Sequence, residues 1–298
     1  ETWLAFGDVT RRLTAPANVT PPFRLPPVDP PYSEDQRLAI AKRMDDALEP
    51  QGLYLETLQL EQRSATVALT GLRFTSEARN LGFATRIIIN HLPAPIEEVT
   101  VVLLSGGMEA SRTTFLRSDI EREFARRGSP DEVFARADIE PGLPGWPDFR
   151  YRVPGRYPQL GFSVGPQTRQ HIGGPDQFYL YQFWLAGNLG IDVARGLTVT
   201  GMIGRNLYHN FDKIRLLSDS TLPHVRSDIK HYLQQGAERN IVRLQSDFFL
   251  KLSESTYGHI SGGLYEEMFG GISAEILYRP FDSRLALGVD MSRVRQRT

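Results

Sequence analysis

Three features predict a mainly β protein in which an antiparallel transmembrane β-barrel portion follows a small α/β domain. Residues 157–298 alternate apolar and polar side chains over segments longer than an ordinary globular strand. Residues 33–127 instead mix helical and strand periodicities. Proline-rich stretches at 15–32 and 128–156 separate these regions from one another and from a short head at 1–14.

The first linker carries Pro16, Pro21, Pro22, Pro26, Pro27, Pro30 and Pro31, which favour an extended polyproline-like path. Ser33 and Gln36 then form a capping-box signature. Leu38, Ile40, Ala41, Met44, Ala47 and Leu48 recur behind it at helical spacing, up to Pro50-Gln51-Gly52. Leu53–Leu60 and Ala65–Leu69 read as two short strands. A second helix is expected from Ser76 through Ala84, Ile87 and Ile88 to His91, ending before Pro93, with His91 as an ordinary helix-end histidine. Val99–Leu104 is rich in β-branched residues, and Gly106-Gly107 turns it back into Arg112–Leu116. Ser118, Asp119 and Glu121 open a last short helix, with Arg126 and Arg127 at its negative end. The order α-β-β-α-β-β-α suits a small sheet with helices on one face. The second linker, with Pro130, Pro141, Pro144, Pro147 and Pro154 among several glycines, leaves no room for a long regular element.

The tail changes period. Tyr179, Tyr181, Phe183, Leu185, Gly187, Leu189, Ile191 and Val193 occupy one parity, with Gln182, Asn188 and Asp192 on the other. After a turn at 192–196, Leu197, Val199, Ile203 and Leu207 oppose Thr198, Thr200, Asn206 and Tyr208. A third segment sets Val242, Leu244, Phe248, Leu250 and Leu252 against Arg243, Gln245, Asp247 and Lys251. Ile260, Leu264 and Met268 mark a weaker fourth, Ile272–Tyr278 a fifth and Leu285–Met291 a sixth, while residues 157–169 add one strand in front. Connections at 192–196, 253–256 and 280–284 are short, whereas 209–238 is long and polar. Outer-membrane barrels alternate short periplasmic turns with longer outside loops, and on that rule the middle domain shares the periplasmic side. A soluble antiparallel sandwich also alternates. Long strands and an apolar face rich in aromatics at strand ends, Phe178, Tyr179, Tyr181, Phe183 and Trp184, favour the barrel.

Composition narrows the function classes. Lys plus Arg number 34 against 35 Asp plus Glu, so a net charge of −1 gives no field for steering onto nucleic acid. There is no cysteine, which removes disulfides and thiolate chemistry. No apolar run is long enough for a membrane-spanning helix. The chain opens at Glu1 without Met and stops at Thr298 directly after an alternating segment, which reads as an internal piece of something larger.

Glu266-Glu267 are strand neighbours that point to opposite faces, so they make a poor glycosidase pair and read as a loop edge. His209, His224 and His231 match no tight metal motif and read as solvated loop histidines. The Gly-Gly pairs at 106–107, 173–174, 262–263 and 270–271 lack the companions of a phosphate loop and read as turns or bulges. Arg293, Arg295 and Arg297 alternate with Val294 and Gln296. They can line a pore wall, ring a rim facing lipopolysaccharide, or form a solvated strand end.

Several long, ordered stretches carry a family resemblance. They are Gly173-Gly174-Pro175-Asp176-Gln177-Phe178-Tyr179-Leu180-Tyr181-Gln182, Asn210-Phe211-Asp212-Lys213, Leu222-Pro223-His224-Val225-Arg226, and Glu267-Met268-Phe269-Gly270-Gly271, the last leading through Glu275–Pro280 to Val294–Arg297. Together they resemble the YjbH family of exopolysaccharide-biosynthesis outer-membrane proteins. The middle region resembles the family more loosely, including Arg73-Phe74 to Leu92-Pro93. The resemblance implies an outer-membrane β-barrel that works with polysaccharide or capsule export, with no enzymatic chemistry, and the residues themselves point to no cofactor and no metal. It also implies a fragment, with the head as the last strand of a missing first barrel portion. About seven or eight strands without partners leave edges that a bilayer does not tolerate.

The leading expectation is a barrel that passes, or helps pass, a secreted polysaccharide, with Thr198, Thr200, Asn206, Tyr208, Arg243, Gln245, Asp247 and Lys251 lining a hydrated lumen. Its partners are the polysaccharide, outer-membrane lipid and other export proteins. The alternative is a non-conducting outer-membrane anchor whose periplasmic domain binds export-machinery proteins.

Overall fold

The computed structural model describes residues 23–25, 30–71, 76–145, 156–172, 177–215, 229–235 and 240–297. The expected head strand, most of the first linker, Arg73-Phe74, Gly173–Asp176 and Leu222–Arg226 lie outside these residues. The chain divides into two compact units that meet in sequence at Arg156 and Tyr157.

The first unit starts at α1 (Glu34–Leu48), where the capping box forms in full: Ser33 Oγ accepts from the Gln36 amide, and Gln36 Oε1 accepts from the Ser33 amide at 2.8 Å. A short 3-10 turn ends at Gly52, whose φ of 74° is the left-handed stop that glycine takes without strain. Then follow β1 (Tyr54–Leu60), β2 (Ser64–Thr70), α2 (Glu77–His91), β3 (Glu98–Ser105) and β4 (Met108–Leu116). After β4 come α3 (Arg117–Phe124), α4 (Pro130–Arg136) and the edge strand β5 (Asp138–Pro141). The last two lie in the proline-rich linker. Pro130 is tolerated there because it occupies the first turn of α4, which Ser129 caps by accepting from the Glu132 amide.

The five strands pair in sequence order, with only β2–β3 parallel and α2 as their crossover. Strand alternation sends Leu55, Leu58, Val67, Leu69, Val99, Val101 and Phe115 to the face where Ile40, Met44 and Leu48 of α1 and Phe83, Ile88 and Ile89 of α2 close the core. Asp45 Oδ1 accepts from the Leu55 amide at 2.9 Å, tying α1 to β1.

Arg117 organises one end of this unit. Its side chain is fully buried, and Nη1 donates to the carbonyls of Pro93 (2.8 Å) and Ile96 (3.3 Å). Nη2 donates to Ile89 (2.8 Å), and Nε to Glu121 (3.1 Å). The guanidinium thereby satisfies carbonyls left over at the α2 C-terminus. Burial lowers its pKa below the ordinary arginine value, and the Glu121 charge opposes that shift. Glu121 also pairs with Arg24, which in turn reaches Glu97 at 2.7 Å, and the Phe23 amide donates to Asn90 Oδ1. The linker residues Phe23 and Arg24 are thus held on the domain surface.

In the second unit β6 (Gln159–Ile172), β7 (Tyr179–Ala194), β8 (Leu197–His209), β9 (Asn240–Lys251), β10 (Thr256–Leu264), β11 (Phe269–Tyr278) and β12 (Leu287–Gln296) form one sheet in sequence order, every neighbour antiparallel. One end of the sheet carries the connections 195–196, 252–255 and 279–286. The other carries the 265–268 tip and the long β8–β9 connection, which contains α5 (Ile229–Gln235). Met268, expected on a strand, lies instead in the 265–268 tip and is 3% exposed. Among the described residues β6 and β12 are open edges, so the sheet is not a closed barrel.

Arg117→Met should lower the stability of the first unit by about 3 kcal/mol, because it strands several buried carbonyls. The change is read as a lower urea midpoint for proteolysis of this unit. Arg117→Lys keeps the charge but loses the planar fork and should recover only part of the loss. An unchanged midpoint for Arg117→Met would remove Arg117 from its organising role.

Candidate functional site

Residue-for-residue pairing in the seven-stranded sheet assigns each side chain to a face. One face collects Leu160, Phe162, Val164, Leu185, Leu189, Ile203, Leu244, Ile260, Ile272, Ile276, Val289 and Met291. These are the exposed side chains: Phe162 is 78% and Met291 75% accessible. The opposite face carries Gln182, Asp247, Lys251 and Ser261, all at 9% or less. A water-soluble sheet does the reverse.

Across the polar face runs one register row, Asp192, Thr198, Asp247, Ser261, Ser273 and Ser292 on six successive strands, buried at Asp247 and Ser261 and exposed at its ends Asp192 and Ser292. Thr198 donates to Asp192 at 2.9 Å, Gln245 to Asp247 at 2.6 Å, and Ser292 to Ser273 at 2.9 Å. In the adjoining row His259 Nε2 lies 3.0 Å from Asp247 Oδ1, with Nδ1 3.8 Å from Glu275, and its ring stacks on Phe249 at 4.5 Å between centroids. The Lys251 ammonium sits 5.1 Å from the Tyr257 ring centroid. The charged groups on this face are therefore partnered where they are shielded.

Nearer the long-loop end, Arg169 of β6 makes a two-pronged ion pair with Glu267 at 2.6 and 3.0 Å. On a flat sheet β6 and β10 stand about 19 Å apart, four strand spacings. The pair forms because the sheet curls toward its polar face. Arg169 also lies over Trp184, whose ring rests directly on Gly204: a Cβ there would come within 2.2 Å of Trp184 Cε3. The β8–β9 connection folds onto the same end. Phe211 and Leu233 pack on Leu180, and Asn210 accepts from the Tyr181 amide at 2.8 Å while donating to the Tyr179 carbonyl at 3.0 Å.

Of the residues expected in a lumen, Thr198, Thr200, Asn206, Arg243, Gln245, Asp247 and Lys251 share this polar face. Tyr208 does not. A bulge at Leu207 makes Tyr208 pair with Phe183, on the apolar face, where its ring stacks on Tyr181 at 5.8 Å. Trp184, grouped with the apolar-face aromatics from the sequence, is on the polar face and 6% exposed. His209 is occupied locally, Nδ1 accepting from the Phe211 amide. Glu267 sits in the 265–268 tip as the salt-bridge partner of Arg169, a residue that belongs to no motif in the sequence. The available signal for Arg169 was its parity, which it shares with Ser163 and Gln167.

Either Arg169→Gln or Glu267→Gln should expose the 265–268 tip to protease about tenfold faster, the scale of a partly buried, charge-assisted pair. The swap Arg169→Glu/Glu267→Arg should restore resistance. A tip equally resistant in all four proteins would show that the pair does not hold it.

A family model described as "Exopolysaccharide biosynthesis protein YbjH" matches residues 7–298. The chain is similar to the Escherichia coli (strain K12) protein named "Uncharacterized lipoprotein YjbH", with 31% identity over 252 residues. That match covers 80% of this chain and 34% of the relative, so the chain spans about a third of the relative's length. No solved structure matches. With its polar-faced antiparallel sheet and the family match over nearly its whole length, the chain belongs to the YjbH family of exopolysaccharide biosynthesis proteins.

Proposed function

We propose that the seven-stranded sheet is part of an outer-membrane β-barrel that takes part in exopolysaccharide or capsule secretion, as an export pore or a part of one. The observation that carries this reading is the inverted sheet, with its apolar face exposed and its polar face curled inward and hydrogen-bonded across strands. An apolar outer face suits lipid, and a bilayer requires every backbone group of a spanning strand to be paired, so β6 and β12 take further strands as neighbours. A wall of hydroxyls, amides and paired charges offers a sugar polymer many weak contacts, which conduction needs in place of one tight site. The chain enters β6 at the end with the short turns, so the α/β unit belongs in the periplasm, where it docks other export proteins. The reading assigns no enzymatic step. The relative's name as a lipoprotein agrees with an envelope location.

One observation favours a second reading. The Phe211–Leu233 packing and the Arg169–Glu267 pair crowd one end of the polar face. A barrel blocked there acts as an anchor that presents the α/β unit for assembly contacts. Deleting residues 33–127 separates the two: an anchor loses all function, whereas a pore still conducts.

Membrane crossing itself is tested with single cysteines in the full-length parent. Asp212→Cys, on the long-loop end, should react with a bulky impermeant maleimide in intact cells, and Glu254→Cys, on the short-turn end, only after the outer membrane is permeabilised. If both stay unlabelled until the envelope is opened, the sheet does not cross the membrane.

A further inference from the structure

On the apolar face the residue types change along the strands. Toward the short-turn end β12 presents Leu287, Val289 and Met291, and it then turns cationic with Arg293 and Arg295. β8 runs Val199, Gly201, Ile203 and then Arg205, while β7 runs from Leu189 and Leu185 into Phe183, Tyr181 and Tyr179. Register places all three arginines among apolar neighbours: Arg293 faces Ile272, Arg295 faces Gly270, and Arg205 faces Leu185. All three are exposed, and none has an ion-pair partner among the described residues. The acidic side chain of β12, Asp290, is on the opposite face with Ser273 and Ser292.

From this placement we propose that Arg293 and Arg295, spaced two residues apart on one face of β12, bind the phosphate groups of an outer-leaflet phosphorylated glycolipid, with Arg205 as a lesser contact on the same rim. The proposal rests on the membrane reading above and adds to it a lipid-binding site. A cation on the lipid-facing side of a barrel strand is costly at mid-bilayer and nearly free at the interface, so the arginines fix the level of the headgroups at the long-loop end. The guanidinium fork matches a phosphate with two parallel hydrogen bonds. The apolar stretch Leu287–Met291 lies alongside, where acyl chains continue from such a headgroup. The stacked tyrosines 179, 181 and 208 stand on the same rim, as interfacial aromatics do. An anionic amphiphile complements both halves of this surface. A purely apolar or purely anionic partner complements one.

The test uses the full-length parent in phosphatidylcholine nanodiscs, titrated with fluorescent lipid A and with its dephosphorylated form. The unmodified protein should prefer the phosphorylated lipid, and added salt should weaken that preference. Arg293→Gln/Arg295→Gln should bind lipid A about 10- to 30-fold more weakly, the scale of two interfacial charges. Arg279→Gln, at the short-turn end, should bind as the parent does. Equal affinity of parent and double variant, with both folded by protease resistance, overturns the site, as does equal binding of the two lipid forms. A parent that does not enter nanodiscs at all fails at the earlier step and sinks the membrane reading together with this site.

Discussion

Continuous antiparallel pairing across β6–β12 is the constraint on which the rest of the second unit depends. The side-chain period along a strand is two, so register alone decides which residues face which way. Six strands contribute to the Asp192–Ser292 row because each pairing brings the next hydroxyl or carboxylate opposite the last. Slip β9 by a single residue and Asp247 and Lys251 turn to the apolar face, away from His259 and Tyr257. Paired on one side, they hold each other. The bulges are local exceptions that re-aim single side chains, and the Leu207 bulge turns Tyr208 into the Tyr181 stack without disturbing the pairing that resumes at Asn206.

The first unit solves a different problem with the same economy of partners. Its sheet is closed by helices on one face, so its weak points are helix ends and chain entry. A single arginine serves both. Arg117 collects carbonyls from the end of α2 and the turn after it, and Glu121 bridges Arg117 and Arg24, with Glu97 as the second carboxylate on Arg24. Phe23 and Arg24 of the proline-rich approach are thereby fixed without regular secondary structure of their own.

What was legible in the sequence was periodic. The capping box at Ser33, the α2 stripe and the long alternation of β7 to β9 are local patterns set by backbone geometry, and each appears as an element. What was not legible depended on three-dimensional closure. The α4 turn inside a proline-rich stretch looked like linker because its apolar signal is short. Trp184 shares the aromatic character of Phe183 but the even-numbered parity of Gln182, and parity decides its face. Phe211 and Leu233 sit in a polar connection, and nothing near them in sequence reveals that Leu180 awaits them. Arg169 and Glu267 are 98 residues apart, and only the curl of the sheet brings them together.

The curl also bears on the choice between sandwich and barrel that alternation leaves open. A soluble sandwich turns its apolar faces together and its polar faces to water. Here the sheltered residues of the central strands are on the polar face, with Lys251 2% exposed and Asp247 9%, and these charges are matched by near neighbours instead of by solvent. Converting this unit into a sandwich means reversing its curvature, which breaks the Arg169–Glu267 pair and removes the Phe211 packing from Leu180. A second apolar layer over Phe162, Ile272 and Met291 would not repair that loss, because the polar network would then face outward with its spacing stretched. The residues that respond to curvature therefore favour a sheet rolled with its polar side in, which is the form that the proposed lipid-exposed barrel wall needs.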